Sequence, residues 1–338
     1  MTQAATESAA KEKYYKALQI LKPFCKKNIG LANWQAFSTF AGLCVLCIGS
    51  YLLYDVHPAL SLFTFPFITA LLCRCYVIEH DCGHQSFYRS RTANAVVGNI
   101  FGFFILVPYE MWRYIHDSHH NNVGNLDKRH LNPELWTLTV EEYKASSPAK
   151  RFLYRMMRSK ASRLVFAPWV IFVVIFRIPH HRLNASSLIS VIVYDAFYFL
   201  AIYFLLQIMP VEKLLMIYGI PLYAFLVIAA YVFYAQHQFE DTYWEKQENW
   251  SYEEATFLGS TYLSSPKWFN WMSGNAGYHN IHHLISGIPN YNLEKAQHAL
   301  DGILEFKPIS VFRVYSLLGL KVWDEKRKKL IPFSEIES

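Results

Sequence analysis

The stretch ALSLFTFPFITALLCRCYVIEHDCGH (59–84) runs from an apolar segment, 59–78, straight into His80 and His84. A helix needs about 20 mostly apolar residues to cross a hydrocarbon core of ~30 Å, and 59–78 has that length. If the helix continues past Ile78, His80 and His84 fall on one helical face, because positions i and i+4 are neighbours. The stretch therefore reads as a membrane span that delivers two imidazoles just beyond the headgroups.

The rest of the chain repeats the pattern. Segments 36–54, 187–208 and 214–236 are equally long and apolar. With 59–78 they predict four spans in two hairpins, linked at 55–58 and 209–213. Of 338 residues, 53% are hydrophobic, 17% aromatic and only 17% charged, too apolar for an ordinary soluble protein. With the hairpin links outside, Lys213 is the only one of 32 Lys and Arg residues left there, which is the positive-inside pattern. The net charge of +6 is then a topological signal and a match to anionic headgroups. No basic and aromatic groove argues for nucleic acid. The shorter apolar stretches 93–108 and 164–178 are expected at the interface.

The expected fold class is an all-α integral membrane protein: four transmembrane helices, interfacial helices and a cytosolic helical cap. Its expected divisions are a cytosolic segment 1–35, a membrane domain 36–300 and a cytosolic tail 301–338. The opening MTQAATESAAKEK lacks an apolar h-region, so no cleaved signal peptide is expected and both termini are assigned to the cytosol. Cys44 and Cys47 form a C-x-x-C inside the first span, where small apolar packing is the expected role.

Two further clusters fall on the same side of the membrane. HDSHH (116–120) and HNIHH (279–283) each read H-x-x-H-H, with His116, His119 and His120 in one and His279, His282 and His283 in the other. On a helix these positions converge, and neutral imidazole suits iron, copper, nickel or zinc rather than calcium or magnesium. At this histidine frequency one H-x-x-H-H is expected by chance roughly 0.02 times, so two of them are specific. Eight histidines suit two ions. His57, His130, His180, His181 and His298 are read as structural or solvated.

HDCGHQSF, HDSHHNNVGNLDKR and HNIHHLISGIPNYNLEKA resemble the three histidine boxes of the membrane-bound fatty acid desaturases, most closely the bacterial and cyanobacterial acyl-lipid branch. The resemblance covers residues 35–300 in box order, box spacing and paired spans. It implies a histidine-ligated di-iron centre that uses dioxygen and two electrons to remove two hydrogens from neighbouring methylenes of a membrane lipid acyl chain. In this family an isolated histidine between the second and third boxes completes the ligand set. His237, directly after the fourth span, matches it in position, although Phe233 stands where the acyl-thioester branch has Asn.

Unactivated methylenes offer no acidic proton, so a metal–oxygen oxidant fits the implied chemistry. Asp81, Asp117, Glu79, Glu110 and Asp241 are candidate acceptors for the second ring N–H of the ligands. The aromatics of the fourth span, with Trp268 and Trp271, are expected to pack helices or anchor the interface. Nothing resembles a haem domain, a cysteine cluster or a Gly-rich dinucleotide loop, so electrons are expected from a separate protein, a ferredoxin or a cytochrome b-type carrier with its reductase. The expected membrane is the bacterial inner membrane, or the endoplasmic reticulum in a eukaryote. A lipid or alkane hydroxylase or a carotenoid oxygenase would use similar boxes. A haem or metal-handling membrane protein would need its histidines inside the spans.

Overall fold

The computed structural model describes residues 3–131, 136–178, 185–304 and 306–336, with side chains of the first helix from Lys11 onward. His180 and His181 lie outside the described residues.

The helices, in chain order, are α1 (Gln3–Leu21), α2 (Ile29–Val56), α3 (Phe65–Gly83), α4 (Arg91–Phe103), α5 (Tyr109–Asn122), α6 (Val140–Ala145), α7 (Pro148–Met157), α8 (Lys160–Val165) and α9 (Ala167–Trp169). A π turn (Val170–Val174) and a 3-10 turn (Ile175–Arg177) extend α9. There follow α10 (Ala185–Ile208), α11 (Val211–Leu214), a π turn (Leu215–Gly219), α12 (Ile220–His237), α13 (Tyr252–Leu258), α14 (Lys267–Met272), α15 (His279–Leu284), α16 (Asn290–Ala299) and α17 (Val314–Leu317).

Three of these runs are long and apolar enough to cross a membrane: Ile29–Val56, Ala185–Ile208 and Val211–His237. The expected span 59–78 differs. Residues Pro58–Phe63 form a 3-10 helix, and the α-helix begins only at Phe65, with Pro66 in its first turn. Its 19 residues include the buried Arg74, Glu79 and Asp81, and this helix is the buried axis of the bundle. Ile68, Leu72, Cys75 and Ile78 are fully buried in a core shared with Leu43 of α2, Phe101 of α4 and Phe225 of α12. By contrast, α2 and α10 turn large apolar side chains outward, such as Phe37 at 66% and Phe199 at 69% exposure. An apolar surface this extensive suits contact with lipid.

The molecule is not purely helical. Leu263–Ser264 (β1) pairs in parallel with Ile309–Ser310 (β2), and Val322–Asp324 (β3) pairs antiparallel with Lys329–Ile331 (β4). The β3–β4 hairpin turns through Lys328 at φ 51° and buries Val322 and Ile331 against Leu138, Tyr143 of α6 and Tyr154 of α7. On the other side, α1 sets Ala17 and Leu21 against Ile281 and Leu284 of α15. Both termini thus brace the layer that carries the histidines.

Candidate metal centre

Four chain segments converge on the histidines. His80 lies in the last turn of α3 and His84 is its C-cap. His116, His119 and His120 belong to α5, His237 ends α12, and His279, His282 and His283 belong to α15. Gln85, next after His84, sits at φ 57°. A non-glycine residue in that region is strained, so the chain turns sharply off the first box. At Gly83 an added Cβ would stand 2.5 Å from the Trp112 ring. That close approach lets Trp112 stack on His116, with ring centres 4.5 Å apart at 18°.

The ring nitrogens form two groups. His80, His84, His116 and His282 present nitrogens within 4.8 Å of one another, as do His119, His237, His279 and His283. His120 joins the first group: its Nε2 is 3.2 Å from that of His116 and 3.0 Å from that of His282. In the second group His237 Nε2 stands 3.1 Å from His119 Nε2 and 2.9 Å from His279 Nε2.

These contacts cannot all be hydrogen bonds, because a neutral imidazole carries one proton. Two nitrogens held at right angles by one ion at ~2.1 Å would stand about 3.0 Å apart, the spacing seen here. His84 Nε2 is buried with no hydrogen-bond partner, although its ring lies 4.7–4.9 Å from those of His80, His116, His120 and His282. The donor set therefore fits two transition-metal ions.

Burial, reinforced by neighbouring imidazoles, holds His84, His116, His120, His279, His282 and His283 well below the ordinary histidine range. The rings are neutral, as ligands must be. Because their folded values lie below the unfolded value of about 6.5, the unfolded chain binds more protons as pH falls through that value. Acid therefore both destabilises the fold and competes with metal. Dialysis of the metal-loaded protein at pH 7.5 should retain metal and dialysis near pH 5 should release it, as read by elemental analysis.

Supporting contacts fix the rings. His237 Nδ1 donates to the carbonyl of Gly259 at 2.8 Å, leaving Nε2 for metal. Asp81 Oδ1 lies 3.5 Å from His80 Nδ1, and its Oδ2 accepts from Asn290 N and Nδ2 at 2.7 and 2.8 Å. Of the other acids considered, Glu110 pairs with Arg113 and Asp241 with Lys329. Glu79 is buried with both oxygens unpartnered, and Asp117 is exposed. Asn290, Gln35, which donates to Asn290 Oδ1 at 2.8 Å, and Trp112 support the site and were not singled out by the histidine spacing. Asn290 follows the third box in GIPNYN, and Trp112 sits one helical turn before His116.

A narrow cavity of about 80 Å³ leads to the rings, bounded by Cys73 and Phe225 in the helical core and by His80, His116, His279 and His282 at the other end. Phe233 also lines it and lies 5.2 Å, centre to centre, from both His119 and His237. Phe225 and Phe233 are thus cavity residues as well as packing residues. Tyr223 stacks on Trp169, while Trp268 and Trp271 are exposed.

The two histidine groups form a candidate metal centre at an apolar cavity, in a chain with three helices long and apolar enough to cross a membrane. Residues 56–315 match the fatty acid desaturase family, and the chain belongs to that family. It is 33% identical to a fatty acid desaturase of Bacillus subtilis (strain 168), over 92% of this chain and 87% of that protein. It is 27% identical to an sn-1 oleoyl-lipid 12-desaturase of Picosynechococcus, over 74% and 72% of the two chains. With an sn-1 acyl-lipid omega-3 desaturase (ferredoxin) of Nostoc it shares 29% identity, over 68% and 64%. The protein is a fatty acid desaturase.

Proposed function

We propose that the two groups hold two irons, one bound by His80, His84, His116, His120 and His282, the other by His119, His237, His279 and His283. The observation that carries this reading is the convergence of their ring nitrogens, four of the rings lining an apolar cavity. Dioxygen is the co-substrate. A –CH2–CH2– pair, O2, two electrons and two protons become –CH=CH– and two waters. Bound iron would supply an oxidant strong enough for an unactivated C–H bond. The chain's own residues do the rest: Phe225 and Phe233 hold the acyl segment extended beside the rings, and Tyr76 and Trp112 keep water from His80 and His116.

Topology follows the same reading. The three long apolar helices are joined by α3 as a fourth, shielded span. The hairpin links face outward, both termini face the cytosol, and 301–338 completes the cytosolic side. In a bacterium this is the inner membrane, in a eukaryote the endoplasmic reticulum. A basic cytosolic face suits a small acidic electron carrier, and one relative's name includes ferredoxin. A cytochrome b-type carrier with its reductase is the other candidate.

Expression in a host lacking unsaturated lipids, with mass spectrometry of its fatty acids, tests the activity. New alkenes are expected, and hydroxylated chains in their place would refute it. The purified enzyme given dioxygen and NADPH alone should make no product, and adding a reduced carrier should start turnover. Product with NADPH alone would remove the separate donor.

A further inference from the structure

Near Phe233 the protein gathers positive charge. Arg158, the C-cap of α7, is 1% exposed. It donates to the Gln238 side chain and to the carbonyls of Trp136 and Leu320, yet its Nε is buried without a partner. Arg163 on α8 also has a buried, unpartnered Nε. Their guanidinium carbons lie 5.5 and 4.5 Å from the Tyr234 ring centre. The Lys321 ammonium meets only the carbonyls of Arg158 and Leu318, and that of Lys160 lies 4.1 Å over the Tyr315 ring. Among the described residues no carboxylate pairs with any of the four. Burial and mutual repulsion lower Arg163 to about 10 and Lys321 to about 8. Arg158 is fully buried, Arg163 and Lys321 are half-buried and Lys160 is exposed; a cation withdrawn from water without counter-charge is costly, and guanidinium is shaped to bind phosphate oxygens.

Arg163 also stands at the head of a row of cavities. The first, about 10 Å³, is bounded by Arg163 and Leu318 and shares Ile171, Ala230 and Phe233 with a second of about 20 Å³. The second shares Tyr76, His116, Ala229 and Phe233 with the main cavity at the metal centre. Around the cationic end Phe166 and Phe312 are exposed, as expected at the level of a membrane surface.

We infer that Arg163, Lys321 and Lys160, backed by Arg158, bind the phosphodiester of a glycerophospholipid substrate, whose acyl chain follows the row of cavities past His116. The route of the chain rests on the function proposed above; the phosphate site does not. The ester end is then the fixed end, so acyl chains of different length should be desaturated at the same carbon counted from the ester.

Iron-loaded protein in detergent is mixed with phosphatidylglycerol or with diglucosyl diacylglycerol of identical acyl chains, and retained lipid is read by native mass spectrometry. Phosphatidylglycerol should be retained about tenfold better, and Arg163→Gln should remove that preference with iron per chain unchanged. Should that variant misfold, Lys321→Gln carries the same readout. Equal retention of the two lipids, or a preference that survives both substitutions, overturns the site. Inorganic phosphate bound in a charge-dependent way without any preference between the lipids assigns the cluster to a free anion and overturns the lipid assignment. A double bond counted from the methyl end overturns the route. An intact phospholipid preference in a protein that never desaturates counts against the proposed function alone.

Discussion

Alanine at any one of His80, His84, His116, His119, His120, His279, His282 or His283 is expected to lower desaturation by at least about 100-fold. Each ring contributes a nitrogen to a group whose members are only a few ångströms apart, so each deletion leaves its group one donor short. His57→Ala and His298→Ala should keep normal turnover. His57 caps a short turn by accepting from Ala59 N at 3.2 Å, and His298 pairs with Asp301 on the surface. Fatty acid profiles of cells expressing each variant make the comparison, with iron content of the purified proteins as the second reading. A box variant with full iron and full turnover would remove that histidine from the ligand set.

His237→Ala should reduce iron from about two per chain toward one, with loss of turnover. The ring is 2% exposed, its Nδ1 is committed to Gly259, and its contacts among the histidines are with His119, His279 and His283. None of those belongs to the first group, so the first site should survive and the protein should stay folded in detergent. Two irons per chain with normal turnover in this variant would return His237 to a helix-end role.

What the sequence made legible was the part governed by local periodicity. The i, i+3, i+4 spacing in 116–120 and 279–283 is a statement about one helical face, and it carried through to α5 and α15. His237 could be placed by depth alone, since it ends one apolar helix as His80 nears the end of another. The division of the rings between two sites was not legible, because it depends on how separate helices cross. Nor was the role of α3: its hydropathy reads like its neighbours', but it packs inside the bundle, where Arg74 finds protein partners, donating to the carbonyl of Trp271 at 2.6 Å and to Thr39. The β3–β4 hairpin and the partnership of Asp81 with Asn290 join residues far apart in the chain, which no local pattern encodes.

The two H-x-x-H-H helices distribute their rings reciprocally. From α5 the outer pair, His116 and His120, serves the first group and the middle ring, His119, the second; from α15 the outer pair, His279 and His283, serves the second and His282 the first. The separation between the sites is therefore a dimension of a single helical turn, held in duplicate by two crossed rulers. A substitution removes one donor from one site. A residue inserted between His116 and His119 would instead rotate both following rings by about 100°, taking a donor from each site at once. Length changes inside these boxes should thus be more damaging than any single replacement, and the spacing is a measurement built into the catalyst as well as a signature of it.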